Sequence, residues 1–130
     1  MGIFDALFGN KNDNFVKKSL PWISLDKISQ LDTIISDSND KFQVIFKHST
    51  RCGISRSVLN RFVDSYNLKI DNLTLYYLDL LNHREVSNEV GYKFQVIHQS
   101  PQLILIKNEK VIYHASHHEI QFDDILALIS

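Results

Sequence analysis

The change of period between Phe46 and Ile54 constrains this chain more than any other feature of its sequence. Residues 42–46 (FQVIF) form a short run of apolar, β-branched and aromatic residues, which reads as a buried strand. From Ile54 onward, Val58, Phe62 and Tyr66 recur every fourth residue, which is one face of a helix. Between the two lie His48, Ser49, Thr50 and Arg51, all polar, and Cys52 falls where the helix should begin. The first turn of a helix has unpaired backbone N–H groups and the positive end of the peptide dipoles, so a thiolate there is stabilised. Arg51 and Lys47 add positive charge nearby unless their side chains turn into solvent. A lone cysteine is more often a small buried apolar residue. At a strand-to-helix junction preceded by four polar residues that expectation reverses, and Cys52 reads as reactive.

The cysteine count sharpens the point. With one cysteine in 130 residues, no internal disulfide can form. Redox chemistry must therefore run through a mixed disulfide between Cys52 and an outside thiol. A structural zinc site built from several thiolates is excluded on the same count, and no metal site is expected. The formal net charge of −1 supplies no electrostatic footprint for nucleic acid. No apolar run approaches the length of about 18 residues that a membrane span needs. No signal-type segment opens the chain, so a cytoplasmic location is expected. The length suits one domain, placed at residues 21–130 after a short flexible extension at residues 1–20. Residues 3–8 (IFDALF) could form one amphipathic turn, though a frayed terminus is the simpler reading.

Pro21 and Trp22 mark entry into ordered structure, with Trp22 as a packing anchor. Ser24 suits the cap of a helix whose Ile28, Leu31, Ile34 and Ile35 share a face. After the strand and helix flanking Cys52, residues 73–79 form a second strand. Strand, crossover helix and strand imply a parallel pair. A helix near residues 86–94 follows, with Ser87 close to its start and Gly91 blurring its extent. Residues 103–107 and 111–115 are strands of a hairpin. Glu109 poorly suits a turn position needing positive φ, which favours a turn longer than two residues. The last helix, residues 119–129, directs Ile120, Ile125, Leu128 and Ile129 to the core.

This order predicts an α/β, thioredoxin-like fold: a central mixed four-stranded sheet flanked by helices, with an extra N-terminal helix. Pro101 opens a strand without disturbing its ladder. In this topology the start of that strand lies beside the start of the cysteine helix. A cis Ser100–Pro101 bond is expected there, presenting backbone to an extended substrate segment beside Cys52.

The segments FKHSTRCGIS, REVSN (residues 84–88) and SPQLILIKNEKVIYHASH (residues 100–117) resemble the YtxJ-type monothiol bacilliredoxins, and the resemblance runs from about Trp22 to the C-terminus. In that family the cysteine of an S-T-x-C-P-I-S motif removes bacillithiol from mixed disulfides on oxidised proteins, a response to disulfide stress. The resemblance makes Cys52 the attacking thiol and puts Ser55 where a dithiol enzyme has its resolving cysteine. Thr50, Ile54, Ser55, Ser100, Pro101, His114 and His117 match the family pattern. With Arg51 and Gly53, the first five of these make the expected thiol- and substrate-binding set. The implied co-substrate is a low-molecular-weight thiol, bacillithiol by resemblance, with no tightly bound cofactor. The implied partners are oxidised proteins carrying mixed disulfides, and a second thiol or a partner reductase for regeneration.

Gly53 departs from the family pattern, which has proline after the cysteine. Glycine restores an N–H that could approach the Cys52 sulfur. The same departure makes C-G-I-S similar to the C-G-F-S of monothiol glutaredoxins, which bind glutathione and share iron–sulfur clusters. The HASHHE segment lacks the glycine pair and aspartate with which those proteins hold glutathione, so the bacilliredoxin resemblance is the closer one. A thioredoxin-fold interaction module that never turns over Cys52 is the third reading. His114, His117 and His118, with His98, could suggest a metal site, but His114 and His117 lack the helical i, i+4 spacing and no carboxylate motif accompanies them. Asp123 and Asp124 suit the dipole of the last helix rather than acid–base catalysis. Asp79 at a strand end suits capping or solvation.

Overall fold

The computed structural model describes residues 19–130; the IFDALF segment lies outside them. Five strands form one sheet in the order β1-β3-β2-β4-β5. They are β1 (Trp22–Ser24), β2 (Phe42–His48), β3 (Leu73–Asp79), β4 (Gln102–Lys107) and β5 (Lys110–Ser116). The helices are α1 (Gln30–Asp37), α2 (Gly53–Ser65), α3 (Arg84–Phe94) and α4 (Phe122–Ile129). β3 runs parallel to both β1 and β2, whereas β2–β4 and β4–β5 are antiparallel. The α/β thioredoxin-like arrangement is as expected, with five strands in place of four.

The fifth strand is β1, and it displaces the expected start of the first helix. Trp22 packs on Phe46, Phe62 and Tyr77, with ring centroids 6.0, 6.2 and 5.8 Å away, and so anchors β1 along the free edge of β3. Leu25 N–H then continues the pairing by donating to Tyr77 O. The Gln30 side chain organises the connection, accepting from the Asp26 and Lys27 N–H groups and donating to Ser24 O. The helix therefore begins after Ser29 rather than after Ser24, and Ile28 is left exposed.

The alternation of β-strand side chains divides the core in two. Val44 and Phe46 of β2 meet Val58 and Phe62 of α2 and Phe122, Ile125 and Ile129 of α4 on one face. Ile45 meets Leu31 and Ile34 of α1 and Val86, Val90 and Phe94 of α3 on the other. α2 buries Ser55, Val58 and Phe62, while Ile54 is half exposed. A four-residue repeat drifts around a helix of 3.6 residues per turn, so Ser55 takes the inward place expected of Ile54. α3 passes through Gly91 to Phe94. Its C-terminal turn folds back so tightly that a Cβ on Gly91 would lie 3.2 Å from Val96 O.

Two C-terminal details also differ from expectation. The hairpin turn has only two residues, Asn108 and Glu109, both at positive φ. Ser38 at the end of α1 holds it there: its carbonyl accepts from Asn108 N–H and its hydroxyl from Glu109 N–H, each at 2.8 Å. A 3-10 turn over His117–Glu119 precedes α4, which starts at Phe122. Arg61 of α2 donates to His118 O and Ile120 O, so Ile120 enters the core ahead of the helix, and Leu128 lies outside the buried face.

Candidate active site at the start of α2

Cys52 is the N-cap residue of α2, with extended backbone at φ −104° and ψ 121°. An N-cap side chain sits beside the unpaired N–H groups of the first turn, the place where serine or aspartate oxygens are usually found. No cap hydrogen bond ties the Cys52 side chain into that turn, and the residue is partly exposed. Thr50, Arg51, Gly53 and Ile54 are exposed around it, and the 50% exposure of Ile54 puts an apolar surface next to the sulfur-bearing residue. Gly53 sits in ordinary helical backbone without positive φ, so an N–H at this position, rather than conformational freedom, is what glycine adds.

Pro101 meets this site from the sheet. The β2–β4 ladder pairs Phe46 with Leu103 and Lys47 with Gln102, so Pro101 stands next to the end of β2, just before the Cys52 loop. The Ser100–Pro101 bond is cis, as expected from the topology. Pro101 O accepts from His117 N–H at 3.0 Å, which ties the strand start to the turn after β5. Ser100 Oγ is buried and has no hydrogen-bond partner. The expected set therefore lies on two segments, the β2–α2 junction and the start of β4, which the β2–β4 register sets side by side.

Ser55 and Pro101 are the buried members of the set, and Ser55 has no exposed surface at all. Its hydroxyl accepts from Ser49 N–H at 3.1 Å and contacts His48 Nδ1 at 2.8 Å. His48, almost wholly buried, stands opposite Asp79 in the β2–β3 register and 5.7 Å from the Tyr77 ring. Burial pushes the His48 pKa down; the nearby Asp79 charge pulls it up and Arg56 pushes it further down. Asp79 accepts from Asn82 through Oδ2, while its Oδ1 is buried and unpartnered. Arg56 donates to Thr50 O at 3.3 Å and so lays a guanidinium along the Cys52 loop.

His48 and Arg56 were not among the expected site residues. His48 was legible only as one of four polar residues in a row; that the strand continues to it, and turns it towards α2, depends on pairing with Asp79. Arg56 stands four residues after Cys52, a helical spacing that could have drawn attention to it.

Lys47 does not supply charge to the Cys52 loop as expected, nor does it reach solvent. It is fully buried on the α3 side of the sheet, with Nζ 3.3 Å from Ser87 O and 3.2 Å from His98 Nδ1. The histidines do not assemble either. His114 pairs across the sheet with Ile104 and lines a cleft of about 360 Å³ with Val96, Gln102 and Ser116, whereas His117 and His118 sit in the 3-10 turn. Among the described residues, no group of three or more His, Cys, Asp and Glu side chains could hold a metal ion. None of the described helices is long and apolar enough to cross a membrane.

Comparison with known proteins agrees with this geometry. The chain is similar to a solved structure described as having a thioredoxin fold, with 26% identity and a TM-score of 0.70 over 82% of this chain and 91% of that one. Two thioredoxins share the fold: that of Malassezia sympodialis at 20% identity and TM-score 0.64, covering 91% and 95% of the chains, and that of Fasciola hepatica at 18% and 0.64, covering 82% and 98%. The profile of the family described as monothiol bacilliredoxin BrxC matches residues 23–125, a span that contains both the cysteine loop and Pro101. With one cysteine capping a helix on this fold, and with that match over most of its length, the chain belongs to the monothiol bacilliredoxin family of thiol–disulfide oxidoreductases.

Proposed function

We propose that this protein removes a low-molecular-weight thiol, bacillithiol by family, from mixed disulfides on oxidised cytoplasmic proteins during disulfide stress. The observation that carries this reading is a partly exposed Cys52 at the N-cap of α2 with Ser55, not a second cysteine, one turn further on. The Cys52 thiolate attacks the thiol-derived sulfur of the mixed disulfide. A new S–S bond forms as the old one breaks, and the substrate protein's sulfur departs with the electron pair and takes up a proton. Cys52 then carries the small thiol until a second such thiol, or a partner reductase, removes it. The disulfide passes from the substrate to Cys52, and the electrons that free Cys52 come from that second thiol or reductase.

In this reading Thr50, Arg51, Gly53 and Ile54 border the incoming disulfide, Ser55 secures the first turn beneath it, and Ser100 and Pro101 form the opposite wall. The loop charges of Arg51 and Arg56 favour an anionic small thiol. Incubation with a bacillithiolated protein tests it. The reduced substrate should appear as Cys52 gains the mass of one bacillithiol, and Cys52→Ser should lower the release rate at least a hundredfold. Full release by Cys52→Ser, or a wild-type Cys52 that never acquires the adduct, would refute it.

A further inference from the structure

Ser55 Oγ has one hydrogen to give and two lone pairs to receive with. Ser49 N–H occupies one lone pair, leaving the 2.8 Å contact with His48 Nδ1 to be satisfied in one of two ways. When His48 is neutral with its hydrogen on Nε2, Nδ1 is bare and Ser55 spends its hydrogen on the ring; in the other neutral tautomer Nδ1–H already donates to Ser55. When His48 is charged, both ring nitrogens carry protons, so Nδ1–H donates into the second lone pair of Ser55. The serine hydrogen is then released from the ring. Ser55 lies in the first turn of α2, three residues after the Cys52 cap, so the released hydrogen lies in the same turn whose unpaired N–H groups adjoin the cysteine.

We propose that His48 is a positioning residue for thiol exchange, acting through the Ser55 hydroxyl so that a proton on the ring and a negative charge on sulfur at the mouth of α2 favour one another. This rests on Cys52 being the exchanging thiol, and it assigns to Ser55 a role that the loss of a resolving cysteine does not require. The surroundings suit a ring that can take a proton without leaving its place. Asp79 stands beside His48 in the sheet register with a buried, unpartnered Oδ1, a ready counter-charge for an imidazolium. Tyr77 faces the ring from β3, Arg56 opposes the proton from α2, and from β4 the nearest residue in register is Pro101, which carries no titratable group. Burial lowers the ring's pKa while the Asp79 charge opposes that shift, so a further negative charge nearby adds to the pull of Asp79 on the proton.

The coupling is reciprocal, so it can be read from either end. The first measurement is the rate of Cys52 alkylation by iodoacetamide against pH, for wild type, His48→Gln, Ser55→Ala and Ser55→Thr. Glutamine keeps a polar partner for Ser55 but cannot titrate. The wild type should react at least threefold faster than His48→Gln at pH 6 and at the same rate at pH 9. Ser55→Ala should match His48→Gln, and Ser55→Thr should restore most of the wild-type profile. Superimposable profiles for wild type and His48→Gln would overturn the proposal, as would Ser55→Thr behaving like Ser55→Ala. If a variant does not fold, NMR titration of the His48 ring in the wild-type chain answers the same question. Its midpoint should move down when Cys52 is capped by methylthiolation, and an unmoved midpoint would overturn the proposal. Neither measurement needs a mixed-disulfide substrate, so failure here is distinguishable from failure of the proposed exchange activity.

Discussion

Among the described residues no carboxylate pairs with Lys47, whose amine is buried between Ser87 O and His98 Nδ1. Desolvation brings its pKa from 10.5 down to about 8. The unfolded chain thus holds this proton up to about pH 10.5 and the folded chain releases it near 8. Between those values the unfolded state binds more protons, so stability rises with pH. At neutral pH the group is charged in both states, and the folded one bears the full cost of its burial. Lys47→Met keeps the length of the side chain and removes the titration. The variant should be at least as stable as wild type at pH 7. Wild type should gain on the order of 2 kcal/mol between pH 7 and pH 10 relative to it, measured by urea unfolding at each pH. A parallel pH dependence in both chains would show that the amine is solvated. A lysine in the motif FKHST reads naturally as a charge for the neighbouring thiolate. Only the strand register, which pairs Lys47 with Gln102 and turns it to the α3 face, shows that its charge lies across the sheet.

Among the elements, the β4–β5 hairpin carries the clearest conflict between local preference and tertiary contact. Asn108 tolerates the left-handed region, but Glu109 at φ 68° does not favour it. Two N–H donors into Ser38 and the Asn39 Nδ2 contact with Glu109 Oε2 at 2.8 Å fix the shorter turn. Glu109→Gly removes the Cβ clash while retaining both backbone bonds to Ser38. It should stabilise the protein by about 0.5–1 kcal/mol, since the strain released exceeds the exposed side-chain bond that is lost. A lower thermal midpoint in the variant would mean that the Asn39 bond outweighs the strain. The same conflict explains why sequence favoured a longer turn: Ser38 is 71 residues from Glu109, and nothing local announces the contact. β1 was hidden for a related reason. A three-residue strand has no period to read, and what makes it a strand is Trp22 seated on Phe46, Phe62 and Tyr77. By contrast α2, β2, β3 and β4 announce themselves, because each carries its buried face in its own spacing.

At the scale of the molecule, the sheet separates two polar clusters that both approach the start of β4. His48, Ser55 and Asp79 lie towards α2, whereas Lys47, His98 and Ser87 lie towards α3. Cys52 and Pro101 were legible in the sequence because a cap position and a pre-strand proline are local features. These clusters were not, because strand parity and pairing between distant strands create them. Their shared consequence is acid sensitivity. Burial lowers the proton affinity of both His48 and His98, with Asp79 partly offsetting the effect at the first and the Lys47 and Arg84 charges adding to it at the second. In the unfolded chain both rings take protons near pH 6.5. The native state resists, so below that pH the unfolded chain binds more protons and stability falls as pH falls. Above pH 6.5 both states are neutral at these sites and the effect vanishes. Carboxylates weaken the protein in acid as well, so the histidine share is read by difference. The urea midpoint of wild type should drop between pH 7.5 and pH 5, and the drop should be smaller in His48→Gln/His98→Gln, whose polar side chains keep the positions but cannot titrate. An equal drop in both proteins would mean that desolvation and the neighbouring charges do not hold the two rings below their unfolded proton affinity.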